Sequence, residues 1–159
     1  MSSAAITSTS TASQETSTLF VVFQVDGAHY ALPAESILQM ESFTGATIVP
    51  GTQPFVVGII QLRGHVVPVV DLRARFGLPR IPVSSESRVV VGQLGDRVVA
   101  LVADTAREVL RLSSTQIKAP PRALAQGAEG FVRAVAQVGS RTVLILDFGK
   151  VIGEEPIDA

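Results

Sequence analysis

The sequence predicts an all-β fold: two small five-stranded barrels packed side by side, with short helical turns at strand ends. Three observations carry this. Short apolar runs are joined by tight-turn pairs containing glycine at Asp26-Gly27, Arg63-Gly64, Gly95-Asp96 and Gly139-Ser140. The second half of the chain repeats the order of elements in the first. The central strands are apolar at consecutive positions, so neither of their faces is expected to meet water.

Residues 1–17 are mostly Ser, Thr and Ala with one charge, Glu15, and bury too little apolar surface to offset the entropy of ordering them. They are expected to be a disordered tail, with residues 154–159 as a C-terminal tail, leaving 18–153 as the folded domain. From Leu19, L-F-V-V-F-Q-V reads as a strand, Asp26-Gly27 as its turn, and A-H-Y-A-L-P as the return, ending at Pro33. I-L-Q-M from Ile37 reads as a third strand, and Phe43 to Gln53 as a loop.

The segment from Phe55 to Gly77 is the central hairpin. Phe55, Val57 and Ile59 are assigned to one face by alternation, and Val56, Ile60 and Leu62 to the other. Pro68 cannot donate to a ladder and is expected at a sheet edge or a bulge. Asp71 is placed to cap a helical turn and Gly77 to end it. L-P-R-I-P-V-S-S-E-S then reads as a break between halves. A hairpin turning at Gly95-Asp96 follows, then a strand from Arg107 to Leu112, a loop from Ser113 to Gly130 with Pro120-Pro121, and a last hairpin turning at Gly139-Ser140.

The two halves align. Phe55 to Leu72 matches Phe131 to Phe148 without a gap, pairing Val67 with Val143 and Asp71 with Asp147. The hairpin at Asp26-Gly27 corresponds to that at Gly95-Asp96, and I-L-Q-M to V-L-R-L from Val109. Each half therefore reads as hairpin, strand, hairpin, and each is expected to close into its own barrel. Arg133, Gln137 and Arg141 lie on the solvent parity of the last hairpin, where the central hairpin has Val57, Gln61 and His65. This apolar excess marks a partner surface.

Composition excludes several classes of function. Apolar residues make up 47% of the chain, charged residues 17%, and the net charge is −1, so no basic face for nucleic acid is expected. No cysteine is present, which removes disulfides, thiolate metal sites and cysteine nucleophiles. No Lys or Arg precedes the first apolar residues, unlike a secretory signal. The longest uncharged run, Ser42 to Leu62, is broken by Pro50, Pro54 and three glycines, so no membrane insertion is expected.

His29 and His65 have no neighbour at metal-ligand spacing, and no phosphate-loop, nucleophile-elbow or H-E-x-x-H pattern occurs. No catalytic residue, metal or cofactor is assigned. Asp71, Asp104 and Asp147 each follow an apolar run; capping accounts for them, with a carboxylate site made by all three as the rival.

The string G-I-I-Q-L-R-G-H-V-V-P-V-V-D-L-R, from Gly58 to Arg73, resembles the CheW-like signature G-x-x-N-L-R-G-x-x-x-P-x-x-D-L-R. The likeness continues in L-V-A-D-T-A-R-E-V-L from Leu101 and in the closing L-I-L-D-F-G-K-V-I, and runs from Leu19 to Ile152. It implies two SH3-like barrels and a non-enzymatic, cytoplasmic adaptor of bacterial chemosensory arrays. The implied partners are the cytoplasmic tip of a methyl-accepting chemotaxis receptor and the regulatory domain of a CheA-like histidine kinase, with other CheW-like domains as a further option. The receptor groove maps onto Ile37, Gln39, Gly58, Arg63 and Val109, with Leu62 and Gly64 supporting the turn. Two departures stand beside that groove. Gln39 replaces a frequent acidic residue, and Gln61 replaces the usual asparagine. An accessory homologue in a divergent system, keeping one of the two interfaces, is the alternative, and a small barrel enzyme or ligand-binding protein the remote one.

Overall fold

All four expected hairpins form, because the turn residues reach conformations that few others tolerate. Asp26 and Gly27 (φ 52° and 79°) and Arg63 and Gly64 (φ 51° and 82°) are left-handed in succession, as a type I′ turn requires. Gly95 and Gly139 (φ 62° each) are left-handed alone, at the first central position of their turns.

The structure, a computed structural model, describes residues 16–122 and 130–153. In chain order its elements are β1 (Ser17–Val25), β2 (Ala28–Pro33), a 3₁₀ turn (Ala34–Ser36), β3 (Ile37–Ser42), β4 (Val56–Leu62) and β5 (His65–Asp71). They continue with α1 (Leu72–Arg75), β6 (Arg88–Leu94), β7 (Arg97–Ala103), β8 (Thr105–Ser113), β9 (Ile117–Lys118), β10 (Val132–Val138), β11 (Arg141–Leu146) and α2 (Phe148–Ile152). Strand β1 takes in Ser17, and the Thr16 carbonyl before it accepts from the Ser114 N–H at 2.8 Å, so the last two residues of the expected N-terminal tail are held against β8; residues 1–15 and the C-terminal tail lie outside the described residues.

Two sheets form, but they do not divide the chain into its two halves. One has the order β3-β6-β7-β5-β4 and the other β8-β1-β2-β11-β10-β9. The halves have exchanged their first hairpins: β6–β7 of the second half sits among β3, β4 and β5, while β1–β2 joins β8, β10 and β11. The expected one-barrel-per-half arrangement is therefore corrected to an interleaved pair. The supposed break at Leu78–Ser87 falls inside the span of the first sheet. Parallel pairings close the exchange, β5 with β7 and β11 with β2.

The sixth strand, β9, was expected to be loop. It pairs Lys118 with Val135, and the matching position Ile59 pairs with Thr47 as an isolated bridge. The extra strand is thus a lengthened copy of a contact present in both sheets.

Two-faced strands need two cores, and the structure supplies three. Phe20, Val22, Ala134, Val143 and Ile145 pack within the sheet of β8 and β1. Phe43, Val67, Val69, Val89, Val91 and Ala100 pack within the other. Their strand neighbours of opposite parity, Val21, Phe23, Val70, Val90, Leu101 and Leu146, meet in a shared core between the sheets, which Leu72 of α1 and Val151 and Ile152 of α2 complete. Burial on both faces is the physical reason these strands lack alternation.

Alternation fails in β4 for a different reason. The register slips between Val56 and Gly58, a bulge that turns Val57 toward the same core as Ile60 and Leu62, while Val56 joins the shared core. The expected partition of Phe55, Val57 and Ile59 to one face is corrected accordingly. Pro68 is not at an edge either: β5 lies between β4 and β7, and the β5–β7 ladder starts one residue later, at Val69.

Candidate functional site

The site is built around the tip of the β4–β5 hairpin. Arg63 occupies a left-handed turn position that suits Asn or Gly better, and its exposed guanidinium has no ion-pair partner among the described residues. Below it opens a groove of about 870 Å³. One wall is Leu62, Val66, Val67 and Pro68; the other is Val98 and Val99 of β7; Leu38 and Gln39 of β3 and Val91 of β6 complete it. Val66 is 58% exposed and Leu38 53%, so the apolar excess expected of this hairpin is real, although it comes from Val66 rather than Val57. The matching residues of the other sheet are polar: Thr142 stands at the position of Val66, and Arg141, at that of His65, is engaged by Glu108 at 2.5 Å.

The groove's rim is mainly basic. Arg63, Arg97 and His65 stand against a single acid, Asp96. Arg97 is committed, donating from Nη1 to the Gly153 carbonyl at 2.6 Å. The Gln39 amide donates to Glu41, which occupies the nearby carboxylate. An apolar floor under an unpaired guanidinium can hold a nonpolar side chain and a carboxylate or carbonyl together.

Of the residues assigned from sequence, Gln39, Leu62 and Arg63 line this groove, and Gly64 makes the turn that presents Arg63. Ile37 opens β3 opposite Gly92 and packs against the shared core. Val109 is 52% exposed but lies on β8, in the other sheet, opposite Val21. Gly58 is accounted for by backbone alone: a Cβ there would stand 2.0 Å from the Thr47 carbonyl oxygen, across the paired hydrogen bonds of Thr47 and Ile59. His65, Leu38, Val66 and Arg97 belong to the groove and were not assigned; the consecutive apolar residues of β5 were the available signal for Val66.

The three aspartates do not form one site. Asp71 caps α1, accepting from the Arg73 N–H at 3.0 Å, and Asp147 caps α2, accepting from the Lys150 N–H at 3.2 Å. Asp104 caps no helix, contrary to expectation. It accepts Arg73 Nε at 2.9 Å and Nη2 at 2.7 Å, and the Asp26 N–H at 2.8 Å. Burial would raise this carboxyl; the Arg73 hydrogen bonds, the Asp26 N–H and the Arg73 charge outweigh it, and Asp104 is held below the usual carboxylate range. Arg73 thereby ties α1 of one sheet to the β1–β2 turn of the other. Asp71 also pairs with Arg80 at 3.5 Å, whereas Asp147 lines a separate recess with Lys150 and Arg75. Arg75 is a second tie: its guanidinium stacks 4.1 Å from the Phe55 ring and 4.9 Å from that of Phe131, matching residues of the two repeats.

Asp104 is thus satisfied by a guanidinium, and Asp71 and Asp147 by the backbone N–H groups they cap. His29 shares a hydrogen bond with Gln24 at 3.0 Å, and among the described residues no three His, Asp or Glu side chains converge as metal ligands. No helix among them is long and apolar enough to cross a membrane.

Comparison with known proteins agrees with the fold and the motif. The family model for the CheW-like domain matches residues 19–155. A chemotaxis protein CheW of Bacillus subtilis (strain 168) is 30% identical over 145 residues, covering 91% of this chain and 93% of that protein. Protein FrzA of Myxococcus xanthus is 28% identical over 134 residues, covering 84% of each. The crystal structure of the scaffolding protein TtCheW from Thermoanaerobacter tengcongensis superposes with a TM-score of 0.75 at 27% identity, over 83% of this chain and 90% of that one.

Proposed function

The chain belongs to the CheW-like domain family, and from that premise we propose that it is a non-enzymatic adaptor coupling chemoreceptors to a CheA-like histidine kinase in a chemosensory array. It acts by holding partners in register, needs no cofactor, and works in the cytoplasm, recruited to receptor arrays. Residues 18–153 are the working unit. The receptor tip docks at the Arg63 face, where Gln39 and Leu62 line the groove and Gly64 makes the turn, whereas Ile37, Gly58 and Val109, also assigned from sequence, lie outside that groove; the kinase regulatory domain docks at a barrel end.

The observation that carries this reading is the hairpin tip itself. It presents an unpaired guanidinium over an exposed apolar floor, where the matching hairpin of the other sheet presents an internally satisfied polar surface. Soluble proteins seldom leave such a patch without a partner.

Titration calorimetry with a receptor-tip fragment and, separately, with the kinase regulatory domain tests it. Arg63→Glu is expected to weaken receptor binding at least tenfold, about 1.4 kcal/mol, with the fold intact by circular dichroism. A folded wild-type chain that binds neither partner refutes the adaptor reading.

The relative named Protein FrzA, whose name carries no chemotaxis label, favours a second reading: an accessory adaptor of a divergent system that keeps one interface. Binding of one partner and not the other, in the same measurements, selects it.

A further inference from the structure

We infer that Pro68 holds the Arg63 groove open by withholding one hydrogen bond from β7, and that this opening makes the β3–β7 sheet the receptor-facing one; the second half rests on the function proposed above. Ile59 exchanges both its backbone hydrogen bonds with Thr47, at 2.9 Å each, so its N–H and C=O point away from β5. Its cross-strand partner is Pro68. In an antiparallel pair of this kind both residues turn their backbone groups outward, so those of Pro68 face β7. An N–H at position 68 would donate to the Val98 carbonyl. Proline has none, and the β5–β7 ladder starts only at Val69 and Ala100.

The other sheet is the control. There Leu144 stands at the position of Pro68 and does carry the N–H. The β11–β2 ladder accordingly includes Val143–His29 and Leu144–Tyr30, the two steps whose counterparts are missing between β5 and β7. At the far end the roles reverse. The β5–β7 ladder runs on to Asp71 and Val102, whereas β11–β2 stops at Ile145 and Ala31, where the next donor on β2 would be Pro33. Two prolines at non-matching positions thus end two matching ladders at opposite ends. The gap left at Pro68 is the groove, with Val66, Val67 and Pro68 on one wall and Val98 and Val99 on the other.

The test uses the full chain. Pro68→Ala restores the N–H without bulk, Pro68→Leu copies the other sheet, and Pro33→Ala adjusts the distant ladder as a control. Hydrogen exchange by NMR reads the amide at position 68, and calorimetry reads the affinity for a receptor-tip fragment beside Arg63→Glu. The expected result is an amide at 68 protected at least tenfold and a receptor-tip affinity at least tenfold weaker in Pro68→Ala, with Pro33→Ala binding as wild type. A freely exchanging amide at 68 overturns the opening mechanism. A protected amide with unchanged affinity overturns its role in docking while a loss in Arg63→Glu leaves the receptor face standing. Unchanged affinity in both Arg63→Glu and Pro68→Ala overturns the receptor face and this inference together. If Pro68→Leu alone misfolds, Pro68→Ala still decides.

Discussion

Replacing Arg73 by methionine removes the tie between the two sheets while keeping the apolar stem of the side chain. The loss can be worked from the contacts. Arg73 and Asp104 are only 14% and 21% exposed and share two hydrogen bonds, at 2.9 and 2.7 Å. Hydrogen bonds to charged groups contribute about 1.5–3 kcal/mol each when buried, and an exposed ion pair about 0–1. Two such bonds in a partly exposed pair place the loss near 2–3 kcal/mol, an urea midpoint lower by about 1–1.5 M for m near 2 kcal/mol per M.

The pH dependence gives the mechanism its own check. The carboxyl of Asp104 is depressed in the folded chain, so its contribution is present above the unfolded value near 4 and is lost as pH falls through the folded one. The gap in stability between wild type and Arg73→Met is therefore widest at pH 7 and shrinks below about pH 4. Urea unfolding followed by circular dichroism at pH 7 and pH 3 measures both gaps. Equal gaps at the two pH values, or a loss below about 0.5 kcal/mol at pH 7, refute the reasoning.

Gly58→Ala is expected to destabilise the fold by about 2–4 kcal/mol, because the new Cβ drives the Thr47 loop off Ile59 and breaks both hydrogen bonds of that bridge. Thermal unfolding measures it, and a change under about 1 kcal/mol argues against the close approach. Asp147→Ala removes the cap of α2 and is expected to cost about 1 kcal/mol in urea unfolding with partner binding retained; a loss of binding without loss of stability would refute the purely structural role of Asp147.

What could be read from the sequence was local. Asp26-Gly27 and Arg63-Gly64 announce their turns because few other pairs take two left-handed conformations in succession. Asp71 and Asp147 announce helix starts because a carboxylate one residue ahead of a helical turn satisfies its free N–H groups. Arg63, Leu62 and Gln39 were found through a resemblance in motif, and the groove gathers them. The bulge at Val57 was missed because it depends on Thr47 approaching Gly58 from a distant loop. Asp104 was misread as a cap because its true partner, Arg73, is 31 residues away.

By itself the sequence determined the four hairpins, their duplicated order and the two-faced burial of the strands, since each is set by neighbours a few residues apart; β9, which exists only by pairing with β10, was not among them. Which hairpin joins which sheet was settled only in three dimensions. Matching hairpins carry nearly the same local pattern, so local preference cannot distinguish a hairpin kept in its own half from one exchanged. Long-range contacts make that choice, the shared core and the Arg73 and Arg75 ties among them. The same holds for the groove: Pro68 is visible in the chain, but the hydrogen bond it withholds exists only once β7 lies beside it.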